Sequence, residues 1–325
     1  MSYVNPVWPH SFPDPCVLKF RGEYWGYCTG FWRDGRCFGV IRSRNLVHWE
    51  PLAGAMAPLP GGHPRYWAPE VTYDGGRFHL YYSVGDEERM EIRVAVSEHP
   101  AGPFADSGRR LTSKPQAPLP ILRTIEGTVL GPDHSSVVRG PDNRQLFCVY
   151  HRWHEGERVL AIDPLGWEGE KLVIDGPSTD PRPGPPPAAF ADFFEKPGGL
   201  DLAWDIRGTW STGGGSARQP LPRASGEARL DARRSTFLVE VSARALEDPA
   251  EGSGYGIALP GFVFLVPARF DPRVWHLIRA EVNEADVRIW LDGLPIWQGT
   301  LPQPARSVSL LAAGVAAEFS GFALT

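Results

Sequence analysis

Apolar and polar positions alternate over short runs along the first half of the chain, and the i, i+3, i+4 recurrence of a helix is nearly absent. The runs are rich in Val, Tyr, Phe and Trp and are closed by Gly, Pro, Asn or Asp, a pattern that predicts β-strands joined by tight turns. Three stretches repeat one design of strand, turn and aromatic strand: PCVLKFRGEYWGY, PEVTYDGGRFHLYY and SSVVRGPDNRQLFCVY. Val17, Val71 and Val137 correspond, as do Tyr24, Phe78 and Leu146, with the last turn two residues longer. Each hairpin is followed by an outer-strand pattern: CFGVIRSRNLVHW, EIRVAVSEHPAGPF and RVLAIDPLGW. Repeated β units of roughly 40–50 residues are the signature of propeller blades. Three copies are visible and no fourth or fifth.

The pattern breaks at DGPSTDPRPGPPPAAF, residues 175–190, where the density of proline forbids helix and central strand and predicts a stiff connector. Beyond it come longer strand runs: STFLVEVSARAL, GYGIALPGFVFLVPARF, WHLIRAEVNEADVRIWLDGLPIWQGTL and SVSLLAAGVAAEFSGFALT. Asp292–Gly293 is a hairpin signal within them. The expected organisation is a propeller segment over 1–178, a linker over 179–190 and a jelly-roll or concanavalin-like β-sandwich over 191–325. The fold class is all-β.

Composition narrows the partners. Hydrophobic residues make up 42% and charged residues 22% of the 325-residue chain, as in globular proteins, and the net charge of −5 comes without a basic run. Nucleic acid and an anionic membrane are therefore not expected partners. The 12 Trp, 9 Tyr and 16 Phe suit both burial and a sugar-binding cleft, where ring faces stack on C–H surfaces. Cys16, Cys28, Cys37 and Cys148 lack CxxC spacing and sit among apolar neighbours, which predicts buried thiols rather than a zinc site. The opening MSYVNPVWPHSFPDP has neither a basic n-region nor an apolar h-region, so a cytoplasmic location is expected.

The stretches SFPDPCVLKFRGEYWGY, RSRNLVHWEPL, YWAPEVTYDGGRFHLYYSVG, EHPAGPF, GPDHSSVVRGPDNRQLFCVYH and RVLAIDPLGW follow one another over residues 5–178. In that order they resemble the family 43 glycoside hydrolases, five-bladed propellers that include arabinofuranosidases, xylosidases and arabinanases. The C-terminal strands are similar to accessory domains that follow such propellers. The resemblance implies inverting hydrolysis of arabinose- or xylose-containing glycosides, with an oligosaccharide or glycoside as partner and no organic cofactor. Inversion uses two carboxyl groups roughly 6.5–9.5 Å apart, a base that deprotonates water and an acid that protonates the departing oxygen. Asp14, clamped between Pro13 and Pro15, matches the family's base. A turn aspartate is the plainer alternative.

The resemblance also marks what departs from the pattern. GPFADSGRRLTSKPQAPLP runs almost directly into ILRTIEGTVLGPDHSSVV, which is like the start of the family's last blade, so the third and fourth blades and both of their carboxylates are missing. Glu126 in TIEGTV is the remaining acid candidate, although its neighbours match the last blade instead. Trp67, Trp8, Glu70, His134 and Arg158 are candidates for contact with a sugar or a pocket carboxylate, each with a core, structural or surface role as the alternative. His134 in GPDHSS is also where the family often holds a hydrated calcium ion, so calcium is an expectation on that residue. Asp163 in AIDPLGW reads as a turn residue. An open wedge of three blades leaves strand edges unpaired, which predicts cover by the sandwich, self-association with a second chain, or a sequence that has lost a segment of a working enzyme. The expected activity is weak or lost for want of the acid. The alternative is a non-catalytic carbohydrate-binding or interaction protein.

Overall fold

The computed structural model describes residues 2–60, 65–74, 76–85, 90–111, 125, 127–168 and 171–325, and its regular elements are all strands. The chain divides into two compact units, Met1–Pro187 and Ala188–Thr325.

The first unit opens with a short strand, β1 (Ser2–Tyr3), and continues as three antiparallel meanders of four strands each. The first sheet is β2 (Cys16–Phe20), β3 (Glu23–Phe31), β4 (Cys37–Ser43) and β5 (Trp49–Pro51). The second is β6 (Arg65–Asp74), β7 (Arg77–Gly85), β8 (Met90–Ser97) and β9 (Ala105–Leu111). The third is β10 (Leu130–Arg139), β11 (Leu146–His154), β12 (Glu157–Glu168) and β13 (Lys171–Ile174). These are the three repeats read from sequence, with Val17, Val71 and Val137 on the first strand of each sheet and Tyr24, Phe78 and Leu146 on the second. The β2–β3 turn shows why the pattern was legible: Phe20 pairs with Glu23, and Arg21 and Gly22 both take positive φ, the two-residue turn whose twist suits a hairpin. Only residues 112–129 separate β9 from β10, too little chain for another unit of roughly 40–50 residues.

Period-two alternation decides how the sheets stack. Cys16, Trp25, Tyr27 and Val40 project from one face of the first sheet into a core shared with Tyr66, Val71, Phe78 and Leu80 of the second. Their immediate neighbours Val17, Tyr24 and Ile41 project from the other face into a core shared with Phe147, Val149, Leu160 and Ile162 of the third. Two hydrogen bonds repeat this division: Val71 N–H donates to Cys16 Sγ at 3.4 Å, and Val17 N–H donates to Ser136 Oγ at 3.1 Å. The first sheet is thus packed between the other two, as a blade is between its neighbours.

Residues near the N-terminus lie along β12. Asn5 exchanges side-chain hydrogen bonds with the backbone of Ile162, Val7 N–H donates to Leu160 O at 3.1 Å, and Phe12 N–H donates to Arg158 O. Trp8, a candidate stacking ring, is buried there and forms a bridge with Leu160, so its place is in the core. β14 (Arg182–Pro183) pairs with β1 and ties the first part of the proline-rich stretch into this unit. Asp163, expected in a turn, is instead mid-strand in β12 opposite Cys148 and fully buried. It accepts hydrogen bonds from Tyr150 Oη at 2.6 Å, Ser178 N at 3.0 Å and Ser178 Oγ at 2.5 Å, and those donors replace the water a turn would have offered.

The second unit holds β15 (Phe190–Asp192), β16 (Trp204–Arg207), β17 (Ser211–Gly213), β18 (Ser216–Gln219), β19 (Gly226–Asp231), β20 (Thr236–Ala245) and β21 (Gly254–Leu259). It continues with β22 (Phe262–Leu265), β23 (His276–Asn283), β24 (Asp286–Leu291), β25 (Leu294–Thr300), β26 (Ser307–Ala313) and β27 (Ala317–Leu324). One sheet runs β17–β18–β27–β20–β23–β24–β25, with β15 added on β27, and the other runs β16–β19–β26–β21–β22. Both feed one core, in which Val239, Val241, Ile278, Ile289 and Phe319 of the first sheet meet Leu230, Tyr255, Ile257, Val308 and Leu310 of the second. The predicted hairpin at Asp292–Gly293 is present, with Leu291 paired to Leu294 and both turn residues at positive φ.

Candidate active site

Asp14 lies where the chain leaves the edge of β12 and turns into β2. Pro13 and Pro15 carry no N–H, so the amide of Asp14 is the sole backbone donor of that tripeptide. It donates to His151 Nδ1 at 3.0 Å, which makes Nδ1 an acceptor and places the proton of a neutral ring on Nε2. Asp14 itself is left-handed, with φ of 50°, a conformation rare outside Gly, Asn and Asp and one that collects at functional sites.

Both faces of the first sheet contribute to the grip on the carboxylate. From the side of the third sheet, Arg158 Nη1 approaches Oδ1 at 3.4 Å and His151 Nδ1 stands 3.9 Å from the same oxygen. His151 and Arg158 share a face because Phe147, Val149 and His151 alternate along β11 and Arg158, Leu160 and Ile162 alternate along β12. From the side of the second sheet comes Thr29, whose Oγ1 donates to Asp14 Oδ2 at 2.5 Å and accepts from Ala68 N–H at 2.8 Å. The Asp14 side chain is 14% exposed, His151 4% and Arg158 33%, so the carboxylate keeps a small solvent-facing side, with His151 buried behind it and Arg158 the more exposed partner.

Ala68 is the second left-handed residue of the site, with φ of 51°, and lies where the β6–β7 register slips between Trp67 and Glu70. Such a bulge re-aims the side chains around it. Glu70 belongs to a segment pinned at both ends, by Ala68 on Thr29 and by Val71 on Cys16. Burial pushes the Cys16 thiol up to about 12, its hydrogen bond from Val71 opposes that rise, and the Glu70 charge adds to it. Trp67 is half-buried on the same bulge.

Among the sequence candidates, then, Arg158 contacts Asp14 directly, while Trp67 and Glu70 flank a residue tied to it through Thr29. The face of Arg158 also carries Trp153, its cross-strand partner, with the guanidinium 5.9 Å from the ring centroid. His134 is the extra residue of a bulge in β10, between Asp133 opposite His151 and Ser135 opposite Tyr150. Its side chain lies outside the described residues, as does Glu126 altogether. Among the described residues no three His, Cys, Asp or Glu side chains gather as metal ligands. Thr29 and His151 were missed by sequence reasoning. Alternation from Val149 carried a signal for His151. Nothing local marked Thr29.

Three four-stranded sheets of the first unit are packed about a supported carboxylate, the arrangement expected of a propeller segment. Residues 3–119 match the family model for Glycosyl hydrolases family 43. Over 190 residues the chain is 25% identical to beta-D-galactofuranosidase xynD of Aspergillus niger, covering 52% of this chain and 51% of the relative. It is 31% identical over 139 residues to the probable arabinan endo-1,5-alpha-L-arabinosidase C of Aspergillus clavatus, covering 36% and 41%. The chain thus spans about half or less of the length of these curated relatives. Among solved structures, a thermostable family-43 glycoside hydrolase aligns at 22% identity and a TM-score of 0.46, over 57% of this chain and 99% of that one.

Proposed function

We propose that this chain carries the base half of an inverting glycosidase site for arabinose- or xylose-containing glycosides, with Asp14 as the general base. One observation supports this above others: a partly exposed carboxylate is donated to by Thr29 on one oxygen and faced by Arg158 on the other, at the junction of the three sheets. In that reading a water on the exposed side of Asp14 passes its proton to the carboxylate as its oxygen attacks the anomeric carbon. The Arg158 guanidinium offsets the negative charge before the transfer and the clamp on the Asp14 backbone fixes the direction of attack. The departing oxygen still needs a proton. In this reading the family's acid-bearing blade has no counterpart among the described residues, and the acid candidate Glu126 lies outside them. Hydrolysis is therefore confined to substrates whose leaving group needs little protonation.

The test is turnover of 4-nitrophenyl α-L-arabinofuranoside and β-D-xylopyranoside beside natural arabino- and xylo-oligosaccharides. Asp14→Asn is expected to lower aryl glycoside turnover by about 10²–10⁴-fold, with natural oligosaccharides inert to both forms. Equal aryl turnover by the two forms would remove Asp14 from the mechanism. Calorimetric binding of oligosaccharides without release of reducing sugar would point to a carbohydrate-binding role instead.

A further inference from the structure

The two left-handed residues of the first unit's site, Asp14 in the turn before β2 and Ala68 in β6, meet on one side chain. A backbone N–H can only donate, so the amide of Ala68 requires the Thr29 oxygen to accept. The hydroxyl has a single proton, which is then left for Asp14 Oδ2, and the 2.5 Å separation matches a hydrogen bond from a hydroxyl to a carboxylate. A hydroxyl free to rotate would have three staggered choices, and the Ala68 amide removes that freedom. Thr29 also holds its own backbone to the tripeptide, since its N–H donates to Pro13 O at 2.8 Å. Asp14 is thereby fixed to β3 on both its preceding carbonyl and its carboxylate.

From this we infer that Thr29 is a positioning residue that sets the orientation of the Asp14 carboxylate and registers it against the β6 bulge bearing Trp67 and Glu70. The inference rests on the reading of Asp14 as the base, and adds a residue that acts through it. With Oδ2 held by Thr29, Oδ1 is the oxygen left beside Arg158, and the direction in which the carboxylate meets water is set. The second sheet enters the chemistry through this hydroxyl: displacement of Ala68 would move the carboxylate, and release of the carboxylate would loosen the bulge.

Three variants of the full chain test this: Thr29→Val, which keeps shape and loses the hydroxyl, Thr29→Ser, which keeps the hydroxyl and loses the methyl, and Asp14→Asn as reference. For the aryl glycosides, Thr29→Val is expected to lower kcat about 10- to 100-fold with KM within about twofold, and Thr29→Ser to recover most of that loss. Wild-type turnover by Thr29→Val, or equal damage from both substitutions, overturns the inference. A second measurement needs no turnover. Amide hydrogen exchange in Thr29→Val is expected to speed up at both Ala68 and Asp14, while Val17 and Val71, which donate to Ser136 and Cys16, stay protected. Faster exchange at Ala68 alone reduces Thr29 to a prop for β6 and overturns the coupling. Turnover indifferent to Asp14→Asn would instead sink the base reading, and the exchange result then decides the positioning role by itself.

Discussion

The two units use the same alternation of side chains to opposite ends. In the second, each sheet turns one face inward and a single core joins them, with Phe319 and Ile289 answered by Leu310 and Ile257. In the first, the central sheet turns both faces inward, Cys16 and Trp25 toward one neighbour and Val17 and Tyr24 toward the other. A sheet buried on one face can keep polar groups on the other. A sheet buried on both faces has to place its polar chemistry at the strand ends, and Asp14 lies just before β2 while Thr29 lies at the bulge near the end of β3. Both units carry register shifts, but those of the first, between Cys28 and Phe31 and between Trp67 and Glu70, are the ones that flank the Asp14 carboxylate and its support.

The comparison can be broken first at the cores. Phe147→Ala at the joint between the first and third sheets and Phe319→Ala in the second unit each remove a fully buried ring, and each is expected to cost about 3–5 kcal/mol in denaturant unfolding. Phe147→Ala also loosens the strand that carries His151, so its aryl glycoside kcat should fall by a further fewfold at a temperature where both variants stay folded. Equal loss of turnover in the two variants would erase the distinction between the units.

Buried carboxylates sharpen it next. Burial pushes Asp163 above the ordinary carboxylate value of 3.8, against the hydrogen bonds from Ser178 and Tyr150. For Glu318, 2% exposed in β27, burial also acts upward, but hydrogen bonds from Ser216 and Arg244 and the charge of Arg244 bring it below 4.5. The signs are opposite. The contribution of Asp163 is fully present below 3.8 and is lost as pH rises through its higher folded value. That of Glu318 is present above 4.5 and is lost as pH falls through its lower folded value. Denaturant midpoints measured across acidic pH should show Asp163→Asn removing a decline with rising pH and Glu318→Gln removing an increase. Slopes of the same sign for the two residues would contradict the assignment.

The smallest expected effect is one in which the units behave alike. Gly22 and Gly293 close equivalent two-residue turns, each at φ of 80°. Gly22→Ala and Gly293→Ala should each cost about 1–2 kcal/mol, the penalty of a left-handed Cβ, as read from thermal unfolding. A difference well beyond that range would mean that one turn does more than reverse the chain.

Legibility followed sequence distance. The hairpins were readable because each strand and its partner are joined by a short turn whose residues announce it, as at Arg21–Gly22 and Asp292–Gly293. Asp14 was readable because its prolines are adjacent. Asp163 was misread for the same local reason: Asp followed by Pro suggests a turn, whereas its place is fixed by Tyr150 across the sheet and by Ser178 on the next segment. Trp8 read equally well as a stacking ring or a core ring until its bridge to Leu160 placed it.

By itself the sequence determined the all-β class, the three repeated blades, the break in composition before the second unit and the aspartate held between prolines, because alternation, turn chemistry and proline act over a few residues. Only the tertiary structure decided that Thr29, His151, Arg158 and Ala68 converge on that aspartate. Their contacts span three sheets, and hydrogen-bond partners so far apart along the chain are selected by how sheet faces pack, which no local pattern records.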